Sequence, residues 1–303
     1  MFASIQRGFS FLGQALDMAR RDGDLIKPSL YGMVIGGIVS IIGAIPIIAA
    51  AILVGGSDFG NWIVGALGAV LVFVQYAIAY VFSGMTAYLI YGYLAEGDGR
   101  MDKAWDVIRR DWLDILSLAG ASTLVKLVEG FLRGRGRRRN PLGELFANIL
   151  NTVWTTGTYF ILPAMVIEDL NLAQGVKRAT DIIRKNLLLV AVTEIGVGTV
   201  VGLIGGLLGF IAVLLGVGLF VAFAATASET NVIPLVIGGL LAALVAGGLL
   251  AIISAFSSYV TTAYHTCMFL WARDAERAVA EGQSAQSVTA PAPVAAVLGM
   301  SSR

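Results

Sequence analysis

The chain has one cysteine, one histidine and seven prolines among 303 residues, and only 14% of its side chains are charged. The lone cysteine, Cys267, excludes an internal disulfide, and the lone histidine, His265, excludes a multi-histidine metal centre. The shortage of charge excludes an ordinary water-soluble domain, in which about a quarter of residues are charged. Lysine plus arginine number 21 against 20 acidic residues, so no global charge draws the chain to nucleic acid. Catalytic signatures are missing as well. There is no His-Glu-x-x-His, no Gly-x-Ser-x-Gly elbow, no phosphate loop and no intramembrane aspartate pair. Neither a cofactor nor an enzymatic activity is expected.

What the chain has is apolar length. Hydrophobic residues make up 57% of it, the mean hydropathy is +0.81, and 37 glycines fall largely inside the apolar runs. Such glycines suit transmembrane helices whose backbones approach closely. Six runs, 28–54, 61–94, 113–132, 145–167, 187–224 and 232–271, each hold enough apolar sequence to cross a hydrocarbon core, which needs about 20 residues. The expected fold is all-α: a polytopic bundle of six long transmembrane helices arranged as three hairpins, each preceded by an amphipathic interfacial helix. Pro28 suits a helix's first turn, and Pro46 predicts a kink. Run 187–224 would make about 57 Å of helix at 1.5 Å per residue. Tilt, protrusion or a break at Gly205-Gly206 would accommodate it, and one long helix fits the other runs best.

A phrase occurs three times: Ala15-Leu-Asp17-Met-Ala-Arg20-Arg21-Asp22, Ala104-Trp-Asp106-Val-Ile-Arg109-Arg110-Asp111 and Ala179-Thr-Asp181-Ile-Ile-Arg184-Lys185-Asn186. Each copy ends an amphipathic stretch and leads into an apolar run. This predicts one transmembrane domain, 1–280, of three repeats (1–94, 95–168, 169–280), with 281–303 a flexible or partner-held tail. Residues 1–27 have no continuous apolar core and read as an interfacial helix rather than a signal peptide. Their apolar stripe is Phe2, Ile5, Phe9, Leu12, Leu16 and Ala19. The second stripe is Met101, Trp105, Ile108 and Trp112, and the third is Leu172, Val176, Ala179 and Ile183. Asp17, Asp106 and Asp181 each lie one turn from the basic pair of their copy and can reach it. Arg20, Arg21, Arg109, Arg110, Arg184 and Lys185 are therefore candidate contacts for anionic lipid headgroups or a protein partner. Ion pairs of this kind also suit any helix lying on a membrane.

Basic residues crowd the N-terminal segment, 95–112, 168–186 and the tail, while 55–60 and 225–231 have none. The positive-inside rule then puts both termini in the cytoplasm of a multi-pass protein of the inner (plasma) membrane. The Arg133–139 stretch disagrees, because even alternation puts it outside. It lies at the outer headgroups, or Arg137, Arg138 and Arg139 dock an anionic lipid or acidic partner, or run 113–132 does not cross.

Polar residues inside apolar runs are the default functional candidates. Gln75, Asn151, Glu194 and His265 are candidate cavity-lining residues. Lys126 and Glu129 are spaced to pair, and Asn148 and Asn151 to bond between helices. His265 and Cys267 point to different faces, and a histidine bonded to a neighbouring helix is favoured over a metal or proton site. Gly198, Gly202 and Gly206, with the offset pair Gly205 and Gly209, read as helix-packing surfaces.

Arg21-Asp-Gly-Asp-Leu25-Ile-Lys-Pro28-Ser-Leu30 and Trp154-Thr-Thr-Gly-Thr158-Tyr159-Phe160-Ile-Leu-Pro163-Ala-Met-Val-Ile-Glu168 together resemble the signature of a family of bacterial multi-spanning membrane proteins of unknown function, over roughly residues 8–275. The layout is also similar to the membrane domain fused to some glycerophosphodiester phosphodiesterases. The sequence holds no hydrolase domain, so that activity is not carried over, and the family supplies no catalytic residues. The expected function is a non-enzymatic membrane scaffold or accessory subunit, bound to lipid and to other membrane subunits or copies of itself. The alternative is a transporter, channel or lipid-handling protein with a cavity between the hairpins.

Overall fold

The computed structural model describes residues 2–133, 141–185, 187–227, 231–284, 288–291, 293 and 295, with the backbone alone at 2–5, 7 and 187–197. Arg137, Arg138 and Arg139 lie outside the described residues, as does the side chain of Glu194. Among the described residues the regular structure is helical: α1 (Phe2–Arg21), α2 (Lys27–Val54), α3 (Asp58–Glu96), α4 (Met101–Arg110), α5 (Trp112–Arg133), α6 (Pro141–Glu168), α7 (Leu172–Lys185), α8 (Leu187–Ala224) and α9 (Ile233–Ala280), with a 3₁₀ turn at Gly23–Leu25. The order is short, long, long, three times over.

Local chemistry sets the boundaries. α1, α4 and α7 end on Arg20–Arg21, Arg109–Arg110 and Arg184–Lys185, cations that suit the negative end of a helix dipole. Pro28 occupies the first turn of α2. Ser57 caps α3, its hydroxyl accepting from the Gly60 N–H at 3.0 Å, and Gly97 ends that helix at a φ of 80°. Asp169 ends α6 at a φ of 56°, in the left-handed region. α8 is continuous over 38 residues, without a break at Gly205-Gly206.

Five helical segments are long and apolar enough to cross a membrane: Gly23–Val54, Asp58–Glu96, Trp112–Arg133, Gly198–Ala224 and Ile233–Ala280. α6 falls outside that set, since Glu144, Asn148 and Asn151 dilute its apolar character. The most apolar windows of the five are 0% to 33% buried within the protein, so their side chains face outward. Ile41, Ile45, Ile52 and Leu53 of α2 are all more than half exposed. A chain with this surface belongs in lipid.

Consecutive long helices pack as the pairs α2–α3, α5–α6 and α8–α9. The second members, α3, α6 and α9, also touch one another and make the centre. α2 packs on α9 and α5 on α3, while α8 finds its main neighbours in α9 and α1. Glycines permit the close approaches. A Cβ at Gly216 would sit 2.7 Å from that of Ala246, and one at Gly238 only 2.3 Å from that of Phe223.

The core is lopsided. Its buried side chains come from α1, α4, α7 and the adjoining parts of α3 (84–90), α6 (158–166) and α9 (255–278). The three short helices thus bury stripes against the rest of the protein, and in α1 and α4 these are largely other residues than the stripes expected to lie on the membrane. α1 turns Phe11, Leu12, Ala15 and Met18 inward, and Phe9 is 51% exposed. α4 buries Ala104, Val107 and Ile108, leaving Trp105 and Trp112 exposed. The reason is a rigid neighbour: Tyr264 meets Phe11 edge-on at 5.3 Å, and the Tyr259 hydroxyl donates to the Ala15 carbonyl at 2.9 Å. α7 buries Ala179 as expected, with Gly175 and Ile182.

Candidate functional site

Three chambers open inside the bundle, on the side of the core away from α1, α4 and α7. The first, about 320 Å³, lies among α2, α3 and α9 and is lined by Gly36, Ser40, Gln75, Ser83 and Ser258. The second, about 220 Å³, lies among α3, α5 and α6 and is lined by Tyr76, Tyr80, Ser122, Lys126, Asn151 and Trp154, among others. The third, about 70 Å³, lies among α3, α6 and α9 over His265. Ser83 lines all three, and Tyr80, Thr158 and Tyr159 line the last two.

The walls are fixed by hydrogen bonds that cross between helices. Gln75 Nε2 donates to the Gly36 carbonyl at 3.0 Å and to Ser40 Oγ at 2.8 Å. Gly36 is small enough for this, since a Cβ there would meet Gln75 Oε1 at 3.3 Å. Trp154 Nε1 donates to Ser122 Oγ at 2.9 Å, and the Tyr80 hydroxyl lies 2.7 Å from the same oxygen. Tyr76 stacks on Tyr80 with ring centroids 5.8 Å apart. Below them His265 is buried at 3% exposure and stacks on Tyr159, centroids 3.9 Å apart and planes 13° from parallel. Its Nδ1 lies 2.7 Å from the Thr261 carbonyl, one turn back on α9. Beyond it Ile161–Val166 and Ala263–Ala272 are packed solid, so the chambers close at this floor.

Of the four expected cavity residues, Gln75, Asn151 and His265 line chambers and the side chain of Glu194 is not described. Asn151 makes no hydrogen bond among the described residues, whereas Asn148 Oδ1 accepts from Arg133 at 2.7 Å. Cys267 is buried and free.

The basic candidates behave less uniformly than their motif. Arg20, Arg21, Arg109, Arg110, Arg184 and Lys185 are all exposed. Arg21 pairs with Asp17 at 2.8 Å as expected. The other two copies correct the expectation. Among the described residues Asp106 and Asp181 bond to neither of their basic partners. Arg110 instead pairs with Asp111 at 2.6 Å and Asp169 at 3.1 Å, and Lys185 with Glu276 at 3.0 Å. The Asp111 carboxylate is only 7% exposed, so packing holds it beside Arg110. Arg178, not singled out from sequence, joins α7 to Glu168 of α6 at 2.9 Å and to Glu276 of α9. Burial opposes its charge and the two carboxylates outweigh burial, holding the guanidinium above its ordinary pKa.

The Tyr76, Tyr80 and Ser83 row also went unread in the sequence. Its spacing of four and three puts hydroxyls on one face of an apolar run, and that was the available signal. A further groove of about 530 Å³ lies at the opposite end, between α1, α3 and α9, with Pro291 and Pro293 of the tail among its walls.

A search of curated proteins finds no match. A family profile matches residues 70–268, from α3 into α9, so it takes in the Trp154–Glu168 motif and leaves out the Arg21–Leu30 one, a narrower span than the expected 8–275. With well over half of its length matched, the chain belongs to the family of unknown function DUF6159.

Proposed function

We propose that this chain is a bacterial inner-membrane protein that takes up a ligand in the chambers between its hairpins and catalyses no reaction. Its six long helices span the bilayer as three hairpins, with both termini and α1, α4 and α7 on the cytoplasmic side. The observation that carries the reading is that Gln75, Asn151 and His265 each line a chamber within a bundle whose outer face is apolar. Polar side chains are costly at membrane depth and face a bundle interior or a water-filled cavity. Here they face three neighbouring spaces that share Ser83 as a wall and stop at the packed core, as in a transporter or lipid-handling protein. The three-repeat reading is supported by the motif alanines: Ala15, Ala104 and Ala179 are 0%, 0% and 2% exposed.

The test is labelling of single cysteines by a membrane-impermeant maleimide in a Cys267→Ala background. Ser83→Cys and Thr155→Cys are expected to react much faster than Ala263→Cys, which sits in the core. Reaction no faster than at Ala263→Cys would sink the reading.

A scaffold or subunit role is favoured by a different observation. α8 carries two glycine faces, and one is used internally. A Cβ at Gly205 would meet Ser257 at 3.4 Å, and one at Gly209 would meet Leu250 at 3.5 Å. Among the described residues Gly198, Gly202 and Gly206 have nothing within 4 Å, a face suited to a helix of another subunit or copy.

A further inference from the structure

The chamber among α3, α5 and α6 borders a cluster of two cations and one carboxylate, of which Lys126 and Glu129 line it and Arg133 lies outside the lining. Glu129 is 3% exposed and both its oxygens are occupied. Oε2 accepts from Lys126 Nζ at 2.9 Å, and Oε1 accepts from Arg133 Nη2 at 2.7 Å and Nε at 3.0 Å. Two cations on one carboxylate leave a net charge of +1 there. A carboxylate saturated in this way cannot attract a further cation; what it does is hold two positive groups in place.

Lys126 is the one that faces the chamber. Its ammonium has three donors, Glu129 takes one of them among the described bonds, and the side chain is 50% exposed. Around it stand groups that donate or accept: Ser122, Asn151 and Thr155, with the Tyr80 hydroxyl deeper in. Trp154 and Val125 add apolar wall. Beside them the outer face of α5 presents exposed Leu124 and Val128 to lipid.

We propose that this chamber binds the anionic head of a lipid or lipid-like amphiphile, its phosphate or carboxylate seated on Lys126 Nζ. The apolar body leaves past Val125 and Trp154 into the surrounding hydrocarbon. A charge pair gains severalfold when the effective dielectric falls from that of water to about 20, as it does for a half-exposed ammonium beside lipid-facing side chains. Tyr80, Ser122, Thr155 and Asn151 complete the hydrogen bonding of the head. This assignment rests on the ligand-cavity reading and names its ligand.

The experiment uses the full chain in a neutral detergent. Binding of dihexanoyl phosphatidic acid, dihexanoyl phosphatidylcholine and inorganic phosphate is measured by native mass spectrometry and titration calorimetry. Phosphatidic acid is expected to bind at least about tenfold tighter than phosphatidylcholine, a difference of about 1.4 kcal/mol. Lys126→Gln is expected to remove that preference and Lys126→Arg to keep most of it. Thr155→Trp, which fills the chamber and leaves every charge in place, is expected to abolish binding. Equal affinity for the two lipids overturns the proposal. So does tight phosphatidic acid binding by Thr155→Trp, because the attraction would then be to a charged surface. Displacement of phosphatidic acid by an equal concentration of inorganic phosphate overturns the amphiphile in favour of a free anion. Should Ser83→Cys and Thr155→Cys label while the lipids are not distinguished, the cavity stands and the anion site falls. Without that labelling the cavity itself falls.

Discussion

Asp22 shows how much one side chain can organise here. Its Oδ1 accepts from the Asp24 N–H at 2.9 Å and caps the 3₁₀ turn, while Oδ2 accepts from the Gly99 N–H at 2.7 Å and ties the α3–α4 connection to the end of α1. Gly99 must stay small, because a Cβ would come within 2.8 Å of Leu25 and 2.9 Å of the same Asp22 oxygen. Leu25 is fully buried beneath them. The Arg21–Leu30 motif is therefore explained by folding. Asp22→Ala leaves two backbone donors short of their partner and is expected to cost about 1–3 kcal/mol. In a thermal melt each kcal/mol lowers the midpoint by about 2–4 °C. An unchanged midpoint would show that water replaces the carboxylate at no cost. The motif's charges were readable in the sequence; that Asp22 reaches 77 residues along the chain to Gly99 was not, since no spacing encodes such a contact.

At the scale of elements, helix existence and order were legible and helix rotation was not. Hydrophobic spacing found the nine α-helices of the described residues, because period and length survive any tertiary arrangement. It did not show which side chains of α1 turn into the protein, because Phe9 and Phe11 are equally apolar and it is Phe11 that meets Tyr264. The glycine faces of α8 give the same lesson. Spacing marked both and could not tell that one meets α9 and the other meets nothing among the described residues. Substitution separates them. Gly216→Leu drives into Ala246 and is expected to destabilise the α8–α9 pair by about 1–3 kcal/mol, read as a lower melting midpoint. Gly202→Leu is expected to leave the midpoint unchanged and to lower disulfide cross-linking of a Gly206→Cys variant between copies. Cross-linking that ignores Gly202→Leu removes α8 as an interface.

For the whole molecule, the sequence pointed to a membrane bundle, its charge asymmetry and a set of cavity-lining candidates, but not to the walls of the cavity. Gln75, Asn151 and His265 were legible as polar residues in apolar runs, whereas the shape of the space they line depends on how α2, α3, α5, α6 and α9 cross. The asymmetry makes a clear prediction. Cysteines at Arg21, Arg109 and Lys185 are expected to label from the cytoplasmic side alone, and a cysteine at Asn61 from the opposite side alone. Labelling of the first three from different sides would dissolve the three-hairpin arrangement.

The placement of the core has a mechanical consequence. Hairpins gripped at one end by α1, α4, α7 and the Arg178–Glu168–Glu276 bridge, and tied elsewhere by bonds such as Tyr80 to Ser122, resemble fingers held at the knuckles. On the proposed ligand-cavity function, their tips would spread within fluid hydrocarbon while the grip stays intact. A bulky guest would then slip in sideways from the bilayer and need no passage through the clenched base.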